Sequence, residues 1–299
     1  MIISASRRTD IPALYSEWLI NRLEAGFCIV RNPFNPQQES LVSLAPQDVD
    51  VIVFWTKDPR PLMGHFDYLD QRGYHYYFQY TVTGYPHWLE PGVPRLDKAI
   101  EAFCDLAKRL GSARVIWRYD PIFFSQATQM SYHVESFRYI ARALEGSTQR
   151  VVISLWDAYR KSLRRMRAVE NETGPLGEER CGPKEMAEFC ASLIDIAGQH
   201  GMTISSCAEH QLECYGIDRG KCIDDQLIRQ LFDLELDFRK DHGQRPECGC
   251  IASKDIGAYD TCILGCQYCY AVGRPDLAWE RYRYHDPQAP CLAASFAHR

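Results

Sequence analysis

Short runs rich in β-branched and aromatic residues alternate along the chain with longer stretches whose apolar positions recur at helical spacing. The runs Ile2–Ser6, Val51–Trp55, Tyr74–Val82, Arg114–Tyr119, Val151–Trp156, Met202–Cys207 and Cys248–Ala252 read as strands. Helical stretches are expected near 60–72, 95–110, 131–145, 158–170, 183–199 and 223–240. Clearest is Pro183–Gln199, where Met186, Phe189, Cys190, Leu193 and Ile196 share one face and Gly201 lies just beyond. Asp10 and Pro12 open a helix that runs to about Ala25 and stops at Gly26. Phe27–Arg31 and Ser40–Leu44 flank the turn-rich Asn32-Pro33-Phe34-Asn35-Pro36 and predict a hairpin.

Alternation of strand and helix predicts an α/β fold with a parallel sheet, and seven strands suggest a TIM-like (β/α) barrel, closed or incomplete. The expectation is a single domain over residues 1–299, with a hairpin insertion at 27–45 and a cysteine-bearing final segment at 248–299. Such barrels place their chemistry on the loops after the strands. The stretch Asn171–Pro183, rich in Gly, Pro and Glu, reads as a flexible excursion. If the barrel closes, its last strand neighbours its first. The loop after Cys248–Ala252 would then stand beside the loop after Ile2–Ser6.

Composition narrows the setting. The chain is 46% hydrophobic, enough for a large core, yet has no apolar run of membrane-spanning length. Met1-Ile2-Ile3-Ser4 leads straight into charge instead of a signal peptide, so a cytoplasmic protein without a membrane partner is expected. Thirteen cysteines in a reducing compartment argue for metal binding over a disulfide framework. A net charge of −5 gives no global pull toward nucleic acid, which favours a small-molecule substrate. The basic run Arg160–Arg167 could meet phosphates, but a solvated helix face accounts for it.

The chemistry concentrates near the C-terminus. Cys262, Cys266 and Cys269 are spaced C-x3-C-x2-C, which fits the corner of a 4Fe–4S cluster with its fourth iron left open. Zinc usually takes four ligands in paired short gaps, and unrelated buried thiols are the plainer alternative. A second set, Cys207, Cys222, Cys248 and Cys250, could hold another 4Fe–4S cluster or a zinc ion, or no metal at all. Strand parity directs Arg118 and Asp120 to the face opposite Val115, Trp117 and Tyr119, hence into the barrel mouth as a ligand-facing catalytic pair, with a structural Arg–Asp pair as the alternative. By the same rule Gln79 and Thr81 would line the cavity. Lys57 reads either as the partner of an anion or, more simply, as an exposed loop lysine.

The C-x3-C-x2-C stretch, with Tyr268 just before its third cysteine, resembles the radical S-adenosylmethionine signature. That resemblance implies a 4Fe–4S cluster whose open iron is chelated by S-adenosylmethionine, an external electron donor, and a 5′-deoxyadenosyl radical that takes hydrogen from substrate. It also implies that Tyr268 helps place the cofactor, that Arg7 or Arg8 meets its carboxylate, and that Asp10 meets its ammonium. A plain helix cap is the alternative for Asp10. The motif normally comes early in such chains and here comes last, as in a circular permutation. Taken whole, the chain resembles a domain-of-unknown-function family with radical-SAM-like C-terminal cysteines. Ser4–Pro12, Phe54–Lys57, Trp117–Ile122 and Cys248–Ala271 carry the likeness. The competing expectation is a non-catalytic iron–sulfur or zinc protein, either an electron carrier or a binding module.

Overall fold

The structure, a computed structural model, describes residues 1–157, 159–173, 182–236 and 239–293. Nine strands are described: β1 (Ile2–Ala5), β2 (Phe27–Asn32), β3 (Asn35–Ser43), β4 (Val51–Thr56), β5 (Tyr76–Thr81), β6 (Val115–Ile122), β7 (Arg150–Leu155), β8 (Thr203–Ser206) and β9 (Lys254–Asp255). Helices α1 (Ile11–Leu14), α2 (Ser16–Ala25), α3 (Arg60–Met63), α4 (Phe66–Gln71) and α5 (Leu96–Leu110) fill the first half. They are followed by α6 (Met130–Ala143), α7 (Arg160–Thr173), α8 (Pro183–Gln199), α9 (Asp225–Phe232) and α10 (Pro275–Arg283).

Seven strands form one sheet in the order β8-β7-β6-β5-β4-β1-β9, and every pairing in it is parallel. β2 and β3 pair antiparallel outside it, as the turn-rich segment between them predicts. Both faces of the sheet are covered, which is why its central strands read as continuous apolar runs. Ile52, Phe54, Phe78, Trp117 and Ile153 pack toward the helices. Val51, Val53, Tyr77, Ile116 and Val152 pack on the other face against Cys222, Leu227, Ile228 and Cys250. Burying a side chain such as Phe78 stabilises the fold by about 1.5–3 kcal/mol.

Four expectations change. Among the described residues no ladder joins β8 to β9, so the sheet is parallel and α/β without a demonstrated closure. The last strand is the two-residue β9, which begins two positions after the end of the expected Cys248–Ala252 strand. That earlier stretch is irregular apart from an isolated bridge of Ile251 to Lys240, and the Cys250 sulfur accepts the N–H of Ile223 at 3.4 Å. The helix expected over 223–240 shortens to α9, whose cap is Asp224, accepting from Gln226 N and Leu227 N. The helix from Asp10 breaks in two at Tyr15. The Asn171–Pro183 excursion falls mostly on 174–181, outside the described residues. No described helix is long and apolar enough to cross a membrane.

Candidate functional site

The short pairing of β1 with β9 brings the first and last loops together. Asp255 on β9 accepts from Ser4 Oγ (3.1 Å), Ser6 Oγ (2.8 Å), Arg7 N (2.9 Å) and Gly257 N (3.0 Å). Gly257 is required there, because a Cβ would lie 2.0 Å from Ser6 Oγ. Farther along, Tyr15 Oη donates to Thr261 O at 2.7 Å and Tyr270 Oη donates to Arg7 O at 2.7 Å. Thr9 and Thr261 hydroxyls also hydrogen-bond. Chain order alone suggested that these loops would be neighbours.

The C-x3-C-x2-C loop is fastened on three further sides. Gly92 N donates to Leu264 O at 2.9 Å, and a Cβ on Gly92 would lie only 2.8 Å from Leu264 backbone. Gln267 N donates to Leu89 O at 3.0 Å. Arg165 of α7 donates to three carbonyls of the loop, with Nε to Gln267 O at 3.0 Å and the other two bonds to Cys269 O and Val272 O. Arg165 was expected on a solvated basic face. It is a loop clamp, while Arg164 and Arg167 beside it are exposed.

Cys262, Cys266 and Cys269 line one cavity of about 180 Å³, walled also by Pro91, Arg165 and Trp279. Backbone N–H groups of Leu264 and Asp10 point at Cys262 Sγ, and Ala271 N lies 3.4 Å from Cys269 Sγ. Such donors stabilise a thiolate and tune a bound cluster. Burial pushes the Cys262 thiol up to about 12 and also raises Cys266, which the nearby Lys57 ammonium partly offsets. A cation bound among such thiols would favour their ionised form. Among the described residues no three His, Cys, Asp or Glu side chains are set as a ready group for a metal ion. The four-iron cube that this spacing suggests spreads its thiolates over separate irons, so it needs a shared cavity more than a single focal point.

Lys57 is largely covered, its side chain only 12% exposed, not the exposed loop lysine its sequence context suggests. Its Nζ donates to Glu90 Oε1 at 2.8 Å. Glu90 also accepts from Thr83 Oγ1 at 3.0 and 3.1 Å and from Tyr268 Oη. Burial would lower the Lys57 pKa, but Glu90 and Cys266 outweigh it and hold the amine charged. Tyr268 is thus anchored beneath the motif, its ring 5.8 Å from Lys57 Nζ. Glu90 was missed from sequence. It sits in a loop with no motif, and its one signal is a lone acid shortly after an inward-facing Thr83.

Arg118 and Asp120 face the covered inner side of the sheet, as parity predicts, and ion-pair with each other. Burial pushes Asp120 up, while Arg118, Ser154 and Lys57 together hold it below the usual carboxylate range. Arg118 Nη1 also donates to Cys222 Sγ at 2.9 Å, and Gln79 Nε2 donates to Cys222 O at 2.8 Å. Thr81 follows Gln79 on the same side and is half-buried. A row of charged side chains, Arg118, Asp120, Lys57 and Glu90, therefore crosses the sheet mouth between the thiols of Cys222 and Cys266.

At the far end of that row, Cys222 Sγ donates to Cys207 Sγ at 3.4 Å. Cys250 meets Cys222 and Cys248 in turn. The hydrogen bond from Cys222, with help from Arg118, brings Cys207 down to about 7. Cys250 is lowered by its thiol neighbours and by Arg7. Arg7 thus lies by the second cysteine set, its guanidinium 5.3 Å from the Trp55 ring. Arg8 reaches Tyr259 at 5.2 Å. Asp10 accepts from Ala13 N (3.0 Å), Thr56 Oγ1 (2.8 Å) and Lys57 N (2.6 Å), so its carboxylate is occupied as a helix cap and a strand tie. Its backbone N–H, not its carboxylate, reaches the motif.

Comparisons with known proteins give a family and little more. No curated protein matches. A solved structure, the "putative alpha-L-fucosidase" of Bacteroides thetaiotaomicron, is similar at 14% identity and a TM-score of 0.30, over 64% of this chain and 84% of that one. A likeness that weak carries no argument. Residues 2–271 match the Domain of unknown function (DUF1848), and the chain belongs to that family.

Proposed function

We propose that this protein is an iron–sulfur enzyme of the radical S-adenosylmethionine kind, with its cluster on Cys262, Cys266 and Cys269. The observation that carries the reading is that all three thiols line one cavity at the sheet mouth, on a loop fastened from four directions. When bound, a cluster with one open iron would supply one-electron reduction of S-adenosylmethionine there. The protein's own part is to hold and to balance charge. Leu264 and Asp10 direct N–H groups at Cys262, Lys57 places a cation beside Cys266, and Glu90 fixes both Lys57 and Tyr268. Arg118 and Asp120, buried on the inner side, are the groups that would hold a small polar substrate.

The test is anaerobic purification followed by iron and sulfide analysis and by electron paramagnetic resonance of the reduced protein. Equal iron and sulfide, with a signal that changes on adding S-adenosylmethionine, is expected. A cluster whose signal ignores S-adenosylmethionine would leave an electron carrier, and a colourless protein would end the proposal.

A further inference from the structure

We infer that Cys207, Cys222, Cys248 and Cys250 form a second, independent thiolate metal centre, held between the guanidiniums of Arg7 and Arg118. The four residues come from separate places: the end of β8, the approach to α9, and the turn before β9. They nevertheless meet. Cys222 Sγ lies 3.4 Å from Cys207 Sγ, and Cys250 sits in contact with both Cys222 and Cys248. Cys222 and Cys250 are buried within the core of the inner face.

Charge makes the case beyond proximity. Arg118 donates to Cys222 Sγ at 2.9 Å. Arg7 faces Cys250 and Cys222, yet its Nη2 is buried with no hydrogen-bond partner. Asp241 ion-pairs with Nη1 at 3.8 Å without bonding Nη2, and the Asp255 oxygens already accept from Ser4, Ser6, Arg7 N and Gly257 N. Both guanidiniums also lie over Trp55, at 5.3 and 5.1 Å from its ring, which leaves that side apolar. A buried donor left without an acceptor is costly, and negative charge on the facing sulfurs would satisfy Nη2. Four neutral thiols provide none, whereas four thiolates on a divalent ion or a 4Fe–4S cluster carry a net negative charge. The sulfurs now run as a chain of contacts and are not set round one point, so binding requires side-chain rotation and release of the remaining thiol protons to solvent.

The full chain carrying Cys262→Ala, Cys266→Ala and Cys269→Ala removes the first site and leaves this one. Elemental and sulfide analysis of that variant should find about one metal centre per chain. Iron with sulfide would identify a cluster, and zinc alone a mononuclear site. Adding Cys222→Ser and Cys250→Ser should reduce the metal to background, while Cys214→Ser, at an exposed position, should not. Where the triple variant fails to fold, Cys248→Ala in the otherwise intact protein serves instead, since Cys248 is only half-buried, and should lower total metal by one centre. Metal-free protein, a Cys207–Cys222 disulfide in its place, or metal that survives the serine changes would each overturn the inference. None of these outcomes depends on S-adenosylmethionine, so the proposed function stands or falls separately.

Discussion

Lys57 and Glu90 form a largely buried ion pair, Nζ to Oε1 at 2.8 Å, beneath the cysteine loop. The pair ties three loops together, because Thr83 and Tyr268 bond the same carboxylate. Glu90→Gln should remove the charge that keeps Lys57 ionised and leave a buried ammonium unpaired. Breaking a buried pair in this way costs about 3–5 kcal/mol. Urea denaturation should show a loss of that order, and the double change Glu90→Gln with Lys57→Met should recover part of it. An unchanged midpoint in the single variant would mean that the pair is solvated.

Gly92 faces the backbone of Leu264 with no room for a side chain, its would-be Cβ 2.8 Å from Leu264 Cα. Gly92→Ala should push the cysteine loop outward and destabilise the protein by about 1–3 kcal/mol. Metal content at the first cysteine set should fall with it, whereas Gly198→Ala, where nothing lies within 4 Å, should have no such effect. Equal metal in both variants would show that the loop yields freely.

Much of this arrangement is legible from strand parity and cysteine spacing. Parity alone puts Gln79, Arg118 and Asp120 on the inner face, since the alternate positions Phe78, Trp117 and Tyr119 are too apolar to lie anywhere but under helices. The Cys262–Cys269 loop is recognisable because its ligand residues lie close in sequence. What escapes is whatever depends on contacts between distant segments. Glu90 gains its meaning from Lys57, 33 residues earlier, and from Tyr268, 178 residues later. Cys248–Ala252 has strand-like composition, but its cysteines are drawn toward Cys222 and Arg7 while Asp255 takes over the pairing with β1. Asp10 looks like a ligand for an ammonium until three donors are found to occupy it.

His133 is buried between Tyr119 Oη on Nδ1 and Phe123 O on Nε2, each at 2.9 Å. Burial lowers its pKa from 6.5 to about 4, against the pull of the Phe123 carbonyl. The unfolded chain therefore binds the proton more readily than the folded one. Stability from this group is full above about pH 6.5 and is lost as pH falls through 4. The loss should reach roughly 3 kcal/mol, from the size of the shift. Denaturation curves between pH 7 and pH 4 should show that slope in the native protein, and His133→Phe should flatten it even if its overall stability is lower. A parallel slope in the variant would place the acid sensitivity elsewhere.

Arg165 holds the carbonyls of Gln267, Cys269 and Val272 at once, from a helix whose neighbouring arginines are exposed. Three acceptors spread along one loop suit a planar fork of donors, and a lysine ammonium on a flexible stem cannot reproduce that spread. Arg165→Lys keeps the charge and removes the geometry. It should therefore loosen the cysteine loop without altering the electrostatics of the cavity. Hydrogen bonds from a charged donor contribute about 1.5–3 kcal/mol each, and a lysine keeping one of them should lose most of the rest. The expected result is lower melting temperature and faster loss of metal to a chelator at the first cysteine set, with metal at Cys207, Cys222, Cys248 and Cys250 unaffected. Arg164→Lys, one position earlier and exposed, is the control and should match the native protein. If both variants release metal at the native rate, the clamp plays no part in holding the loop. If Arg164→Lys loses metal as fast as Arg165→Lys, the loss does not come from the reach of Arg165.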